Sequence, residues 1–489
     1  MSDKLEGDQY LKTSEAPPTT EANSIVAPLA LGSPGRVLAI VCVGIVLSSL
    51  DMFIVNVGLP AIAHDFGGTT LQDLSWVLNG YAVAYAALLV FFGRLAERFR
   101  RDRSFILGVA VFTAASGACA ISNSIGTLVT FRVVQAAGAA LMTPTSIGLL
   151  LASFPPDRRG GAVRIWSSMG GFAAALGPVV GGMLITVNWR WIFIINVPIG
   201  LAAMAVGWRY LPEVPGHHVN RPSLWGASLV TGGVATLIFA IIKLNDWGWQ
   251  SIGVKLSFAA SLIVLTLFVK HCLSSINPFV EPALFRIREF TGTTLVMLPY
   301  SVAFGAMLFS IALWDQAIWG WSALQTGLAV APGPLLVPIT AQLAGGRLIA
   351  WFGASAVIST GIILFTAGLS FWATFLGPHP SAVLVVVGML PIGVGVGLVS
   401  PTLMGIGTSL LPPSSFATGA AVLSMINQAA MAIGVAVFVA VLASPVLPTG
   451  DASAFYRGWW IIAAISALGL IPTLWFIRPT RASRANGAK

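Results

Sequence analysis

Residues 48–60 read SSLDMFIVNVGLP, which places an acidic residue, Asp51, inside the first long apolar run of the sequence. An ionised Asp at the centre of a membrane-spanning helix costs about 2.5–3.5 kcal/mol even on insertion scales. That cost is tolerable when the carboxylate faces a wet cavity, pairs with a cation or holds a proton. These options together indicate a proton-coupled transporter. The alternative is a neutral Asp51 that hydrogen bonds to a neighbouring helix for packing alone.

The composition around this stretch is typical of a polytopic helical membrane protein. Of the 489 residues, 56% are hydrophobic and 9% charged, and the mean hydropathy is +0.87. Apolar runs of about 20 residues, long enough to span a bilayer, alternate with short polar breaks. We predict fourteen spans, at 37–58, 74–92, 104–122, 125–152, 162–186, 191–209, 224–243, 252–273, 291–315, 325–345, 354–376, 381–406, 416–444 and 457–477.

The even number of spans puts both termini on one side of the membrane. With the N-terminus inside, Arg190, Lys243, Lys255 and Arg457 fall outside, Arg132 lies in a span, and all other Lys and Arg residues are inside. This positive-inside asymmetry predicts cytoplasmic termini, with polar tails at 1–35 (disordered) and 479–489. It also explains the net charge of +9 without a nucleic-acid partner.

An internal repeat divides the spans into two halves. Gly-Arg-Leu opens the inner loop after span 2, at 93–95, and the one after span 10, at 346–348. Aligning these spans leaves spans 7 and 8 as an inserted pair. The sequence therefore predicts a six-helix bundle at 36–210, a linker with two extra spans at 211–289, and a second six-helix bundle at 290–478. Such halves enclose a site at the membrane midplane.

Several motifs resemble, in order, the major facilitator superfamily, specifically its fourteen-span drug:proton antiporter branch. They are LDMFIVNVGLP (50–60), WVLNGYAVAYAALLVFFGRLAERFRRDR (76–103), RVVQAAGAA (132–140), GPVVGG (177–182) and NWRWIFIINVPIG (188–200). The resemblance implies an all-α major facilitator fold of two six-helix bundles plus two inserted spans, with alternating access and antiport. Four positions depart from the pattern of the family: Glu97 and Arg100, where Asp and Gly are usual, Asp315, and Asn427.

Proton coupling is assigned to carboxylates, because every His lies in a loop or at a span end. Of the 17 acids, only Asp51 and Asp315 lie within spans. At the helical rise, Asp51 lies about 21 Å up a core of about 30 Å, and Arg132 lies about 10 Å below the outer face. The two therefore meet at one depth as the predicted proton-coupling pair. The alternative for Arg132 is hydrogen bonding to backbone carbonyls between helices.

Other polar residues within or near the spans are expected to line a central cavity, with interhelical hydrogen bonding as the alternative for each. They are Asn56, Asn79, Tyr81, Gln135, Gln316, Asn427 and Gln428. Asp315, amid three tryptophans, is predicted to bind the cationic group of a substrate by charge pairing and cation–π attraction. Alternatively it lies in the headgroup layer, because it stands about 36 Å along its span.

The predicted gating residues lie in span 5 and at the inner helix ends. Gly177 and Gly181 are spaced for a close helix contact, and Pro178 permits a bend. The resemblance adds Gly182, Gly93 and Glu97. Glu97 is expected to lock the outward-open state against the start of span 13, where Ser414 and Ser415 can cap the helix, while Arg98 and Arg101 bridge to Asp157.

These features predict a proton-coupled antiporter that exports amphipathic, cationic drugs or toxic compounds. It would be a monomer in the inner (cytoplasmic) membrane of a bacterium. Export of a lipid or an endogenous metabolite by the same fold is the alternative. The sequence contains no metal cluster, nucleophile constellation or G-x-x-x-x-G-K-[ST] loop, so we predict no cofactor, no metal and no enzymatic activity. The expected partners are protons, a small-molecule substrate and the lipid bilayer.

Overall fold

The computed structural model describes residues 33–67, 70–216, 223–275, 278–343, 348–409, 411, 416–442 and 452–477. Within these ranges all regular structure is helical. Residues 1–32 and 478–489, which include almost all of the two predicted tails, lie outside the described residues.

The helices follow one another along the chain as α1 (Pro34–Phe66), α2 (Leu71–Arg98), α3 (Arg101–Ala120), α4 (Ile125–Ser153), α5 (Pro156–Ile185), α6 (Trp191–Ile194), α7 (Asn196–Tyr210), α8 (Leu224–Trp247), α9 (Ile252–Ser274), α10 (Arg288–Ala317), α11 (Ala323–Val330), α12 (Pro332–Leu343), α13 (Ile349–Phe352), α14 (Ala354–Phe375), α15 (Ala382–Ser409), α16 (Phe416–Leu442), α17 (Ala452–Leu468) and α18 (Leu470–Phe476). A 3₁₀-helix, Pro282–Arg286, precedes α10.

Thirteen helical segments among the described residues are long and apolar enough to cross a membrane, judged by length and composition. Three of them combine two helices, namely α6 with α7, α11 with α12, and α17 with α18. The remaining predicted span, 162–186, falls in the 30-residue α5, whose apolar part is Met169–Ile185. The predicted all-α polytopic fold is confirmed, and each predicted span has an apolar helix.

Two of the outer loops end in side-chain caps that fix where the next helix begins. The Thr70 hydroxyl accepts a hydrogen bond from the backbone N–H of Asp73 at 3.1 Å, and the Ser124 hydroxyl accepts one from Thr127 at 3.2 Å. Each satisfies a backbone donor that the first turn of a helix leaves unpaired. The caps therefore set the starts of α2 and α4, which carry the site residues Asn79, Tyr81 and Arg132.

The helices pack as two bundles that meet along two seams. In the first bundle α1 packs against α4 and α5, and α3 against α4 and α7. In the second, α10 packs against α16 and α17, and α14 against α15 and α17. The bundles meet where α5 contacts α11 and α12, and where α2 contacts α16. Helix α8 of the inserted pair covers the second seam, because it packs on both α2 and α16.

Glycines let the halves touch where α5 meets α11. A Cβ atom added to Gly327 would lie 2.2 Å from the carbonyl oxygen of Pro178, and one added to Gly182 would lie 2.5 Å from the Cα of Leu324. Neither position has room for a side chain. Pro178 and Gly182 lie towards the end of α5 that the charge distribution assigns to the outer side, so the two halves are in close contact at this end of the interface.

The other two predicted gating glycines of α5, Gly177 and Gly181, face a helix of their own half. A Cβ atom on Gly177 would lie 2.7 Å from Phe53 Cβ, and one on Gly181 would lie 2.7 Å from Ile54 Cγ1. The four-residue spacing thus serves a close contact between α5 and α1. Helix α5 thus presents small residues both to α1 and to α11, and α1 is connected through α5 to the contact between the halves.

We expect Gly327→Ala to separate α5 from α11 and favour an outward-open state. The added methyl overlaps a backbone oxygen, which has no rotamer to move away. Spin labels at Ile121→Cys and His379→Cys, both exposed, would report the separation as a longer distance by double electron–electron resonance. Gly232→Ala is the matched control, because a Cβ there meets nothing within 4 Å. Equal distances in the two variants would contradict a seam closed by glycine contact.

Candidate functional site

Asp51 lies on α1 and is fully buried, with 0% of its surface exposed. It forms an ion pair with Arg132 of α4, whose Nη1 donates to Asp51 Oδ2. The other carboxylate oxygen accepts hydrogen bonds from Gln135 Nε2 at 2.8 Å and from Asn196 Nδ2 at 3.2 Å. The structure thus brings together the two residues that helical rise places at one depth, and both carboxylate oxygens are satisfied.

Arg132 is held on several sides, so its position is well defined. Its Nε donates to the carbonyl oxygen of Val77 at 3.3 Å, and its Nη1 also donates to Gln135 Oε1 at 2.7 Å. Its guanidinium carbon lies 4.2 Å from the centre of the Tyr81 ring, which adds a cation–π contact. Arg132 therefore pairs with Asp51 and also bonds to a carbonyl of α2, while its part in proton coupling stays a prediction.

Ser116 and Asn196 complete the network, and sequence reasoning did not single them out. The Ser116 hydroxyl accepts from Gln135 Nε2 at 3.0 Å and from Asn196 Nδ2 at 2.9 Å, and donates to the Phe193 carbonyl at 3.2 Å. Asn196 begins α7 directly after the break at Ile195. The signal was available, because Asn196 is a polar residue inside the quoted stretch 188–200.

A cavity lies between the two halves, with Arg132 in its wall. It contains about 400 Å³ of empty space, and its walls come from α1, α2 and α4 on one side and from α10 and α16 on the other. Three predicted substrate residues line it: Asn56, Asn79 and Tyr81. Asn79 is fully buried, and neither of its side-chain polar atoms has a hydrogen-bond partner in the described part of the chain. Asn79 is thus free to bind a polar group of a ligand.

A second cavity, of about 510 Å³, adjoins the first at Leu308. It lies between α1 and α5 of one half and α10, α12 and α15 of the other. Its walls are aromatic and aliphatic side chains, two methionines, a proline and three glycines: Phe53, Gly171, Phe304, Met307, Leu308, Gly333, Pro334, Val337, Met389, Ile392, Gly393 and Val396. The flexible thioethers of methionine suit apolar molecules of varied shape.

Three further predicted substrate residues make contacts within or between the halves. Gln316 Nε2 donates to the carbonyl oxygen of Val57 at 3.1 Å, which joins α10 to α1 across the halves. Asn427 Oδ1 accepts from the Ser301 hydroxyl at 2.7 Å. Gln428 Nε2 lies 3.7 Å from Met52 Sδ, again across the halves. Gln135 belongs to the Asp51 network. These four side chains therefore serve contacts between helices in this state.

The inner ends of the helices carry the remaining predicted gating residues. Gly93 lies where α2 passes α4 and α16, with Pro144 and Ala421 at 3.9 and 4.0 Å from an added Cβ. Arg101 Nη1 donates to the carbonyl oxygen of Gly148 at 3.2 Å, and Arg98 is exposed. The side chains of Glu97 and Asp157, and residues Ser414 and Ser415, lie outside what the structure describes, so the predicted lock stays a prediction.

Two arginines of the same inner loop make ion pairs that the sequence did not indicate. Arg94 donates to the Pro278 carbonyl at 2.7 Å and pairs with Glu281 at 3.0 Å, which ties α2 to the segment ahead of α10. Arg100 pairs with Asp102 at 2.8 Å and Glu213 at 2.9 Å. Hydrogen bonds to Asp102 and then Glu213 raise the pKa of Arg100 above its ordinary value.

Two helical bundles that enclose a cavity, with the arginine of a buried ion pair in its wall, are typical of a polytopic membrane transporter of the two-bundle class. The model of the Major Facilitator Superfamily matches residues 41–435, and the chain belongs to that superfamily. Membership confirms the fold predicted from the motifs. The chain is a multi-pass transporter of small molecules and not an enzyme.

Similar proteins place the chain among resistance and export proteins. The tetracenomycin C resistance and export protein of Streptomyces glaucescens is 32% identical over 69% of this chain. The aligned region covers 63% of that protein, which is less than two thirds of its length. The methylenomycin A resistance protein of Streptomyces coelicolor is 31% identical over 82% of this chain and 84% of its own length. These similarities confirm the drug-exporter branch that the motifs indicated.

The fold is also found in solved transporter structures. The crystal structure of a POT family transporter in complex with 5-aminolevulinic acid has a TM-score of 0.67 to this chain, with 91% of this chain and 96% of that chain covered. The sequence identity is 16%, so this similarity concerns the fold alone.

Proposed function

We propose that this chain exports amphipathic compounds, organic cations among them, across the bacterial cytoplasmic membrane in exchange for protons. The observation that carries the proposal is the buried Asp51–Arg132 pair, whose arginine lies in the wall of the cavity between the halves. An intramembrane ion pair is costly and marks a proton or substrate pathway by default. The names of the two Streptomyces relatives support export of toxic compounds as the direction of transport.

The pair gives the cavity wall two charge states. With Asp51 ionised, the pair is neutral overall, and an organic cation in the cavity meets no net charge. When Asp51 takes up a proton, Arg132 keeps its charge, because a guanidinium is not deprotonated in proteins. The charge of Arg132 is then uncompensated and repels the cation. Proton and cation thus exclude each other, which is the condition for antiport.

The two cavities supply what an amphipathic molecule needs. The apolar walls of the cavity at Leu308 suit a hydrophobic body. The adjoining cavity offers Asn79, whose amide can donate to and accept from a polar group. An apolar pocket with one adaptable polar contact favours binding of many different substrates over selectivity for one.

Alternating access would follow from opening the seam that is closed here. The close α5–α11 contact blocks the outer side, and rocking of one bundle against the other would exchange this contact for one on the inner side. We further propose that both termini are cytoplasmic, in accord with the positive-inside asymmetry, and that the protein acts as a monomer.

Transport by purified protein in liposomes tests the proposal. In proteoliposomes that are acidic inside, we expect ethidium to accumulate several-fold above the level in liposomes without protein. Nigericin, which collapses the pH gradient, should abolish the accumulation, and no ATP should be needed. Uptake that is indifferent to the gradient would contradict antiport and favour a uniporter.

A further inference from the structure

Asp315, in the last turn of α10, is a second fully buried carboxylate, with 0% of its surface exposed. Unlike Asp51, it has no compensating groups: neither of its carboxylate oxygens has a hydrogen-bond partner among the residues described. A carboxylate without partners is stable away from water only when it carries a proton. Asp315 lines neither of the two cavities that adjoin at Leu308, so it is not part of the wall that a substrate in them would contact.

Charged groups on the neighbouring helices do not compensate Asp315. Of the elements packed against α10, the described parts of α11, α15, α16 and α18 carry no charged residue. On α17 the titratable groups are Tyr456 and Arg457, and Arg457 is exposed. On α1, Asp51 is paired with Arg132 and Asp65 with Arg190, while Arg36 and His64 lie at the two ends of the helix. The remaining charges, Arg286, Arg288 and Glu289, lie at the opposite end of α10.

Asp315 lies close to the contact between the two halves on the predicted outer side. Residues three and four apart share a helix face, so Asp315 lies one turn beyond Ile311 and Ala312. These two residues line a third cavity, of about 280 Å³, together with Val57 of α1, Pro178 of α5 and Thr326 of α11. We call the contact of α1, α5, α10 and α11 around this cavity the outer gate. The next residue, Gln316, bonds to Val57 across it.

We propose that Asp315 is a proton-binding site that makes closure of the outer gate depend on a proton from the outer side. The proposal rests on the antiport function above and adds a second, separate titration to it. Opening the gate breaks the Gln316–Val57 hydrogen bond and admits water to Asp315, which then releases its proton outward. An ionised Asp315 has no partner in the closed gate, so closure follows only after a proton binds again.

This site sets the order of events in transport. Asp315 takes its proton from the outer side and returns it there, so it adds nothing to the number of protons moved per cycle. Its effect is to hold the gate open until external protons arrive, after the substrate has left. A transporter that closes only when protonated completes fewer unproductive cycles when the exterior is alkaline, because the proton gradient that drives export is then absent.

The outer-gate distance tests the proposal without any transport measurement. Spin labels at Ile121→Cys and His379→Cys report gate opening, and the Asp51→Asn background removes the titration of the other buried acid. In that background the open fraction should rise with pH, by up to about tenfold per pH unit when one proton is linked. Asp315→Asn should abolish this dependence and keep the gate closed, whereas Asp315→Glu should retain it.

The outcomes separate this proposal from the antiport function. A pH-independent distance in the Asp51→Asn background, or an unchanged pH dependence in Asp315→Asn, would overturn the role of Asp315. If both asparagine variants fail to fold, the comparison of Asp315→Glu with the parent chain decides: the pH at which the gate opens should differ between them, because only residue 315 has changed, and the same opening pH in both would overturn the role of Asp315. Failure of gradient-driven ethidium uptake would contradict antiport while leaving the gate distances as they are. Loss of cation export alone in Asp315→Asn, with an unchanged gate, would assign Asp315 to substrate binding instead.

Discussion

Replacement of Asp51 by Asn is expected to abolish gradient-driven export, to the level of liposomes without protein. Asn has nearly the same size, and its one side-chain oxygen can accept a hydrogen bond from Arg132, but like a protonated Asp51 it has a donor in place of the second acceptor oxygen, and it cannot exchange a proton. The protonated, neutral Asp51 is already a state of the proposed cycle, so the fold should tolerate Asn. Ethidium accumulation in acid-loaded proteoliposomes measures the loss, and size-exclusion chromatography of the purified variant measures folding.

Asp65→Asn is the matched control for this variant. Asp65 lies on the same helix, but at its outer end, where it bonds to Trp189 Nε1 at 2.9 Å and pairs with Arg190. The same chemical change there should leave export intact. Equal loss in both variants would indicate a structural requirement for acids on α1, and wild-type export by Asp51→Asn would favour packing as the role of Asp51.

Arg132→Gln should also abolish export, because it removes the cation of the buried pair instead of the acid. Without the guanidinium, an ionised Asp51 is buried with no cation beside it, and removing one partner of a buried pair typically costs 3–5 kcal/mol. The cavity wall would then have no fixed positive charge, and its two charge states would be lost. We expect no gradient-driven uptake, although apolar substrates should still bind.

Arg132→Lys provides the graded comparison. Lysine keeps the charge but not the planar fork that reaches Asp51, Gln135 and the Val77 carbonyl together. Loss of one hydrogen bond to a charged group, worth about 1.5–3 kcal/mol, predicts a decrease of roughly tenfold or more in transport rate. If Arg132→Gln transports as well as Arg132→Lys, the charge of Arg132 is not part of the coupling.

The common depth of Asp51 and Arg132 could be predicted because it follows from residue counting alone. Helical rise converts residue number into depth, and both residues interrupt apolar runs. Rotation about the helix axis is not fixed by such counting in an apolar span. Gln135 was therefore expected at the cavity wall, but it lies beside Asp51. Ser116 escaped notice for the same reason, because nothing in its own span indicates which neighbour it faces.

The glycine contacts, too, could be predicted from the sequence only in part. The spacing of Gly177 and Gly181 predicts a close helix contact, but the partner helix, α1, is a tertiary fact. Gly182, next in sequence, faces the other half instead. The tryptophans close to Asp315 in the sequence suggested a cation site, because the sequence shows which residues are neighbours but not which side chains are buried. The structure shows Trp314 packed against Phe455 and Trp459 of α17, so this indole belongs to the core of its own half.

Proton release on substrate binding tests the exchange at Asp51 most directly. Ethidium added to the purified protein in weakly buffered detergent solution should release about one proton per bound molecule, because one carboxyl group exchanges its proton for the cation. In Asp51→Asn the charge of Arg132 is always uncompensated, so this variant should bind ethidium more weakly and, at ethidium concentrations that saturate it, release no proton. Wild-type release from Asp51→Asn would contradict the account, since the exchanged proton would then come from another group.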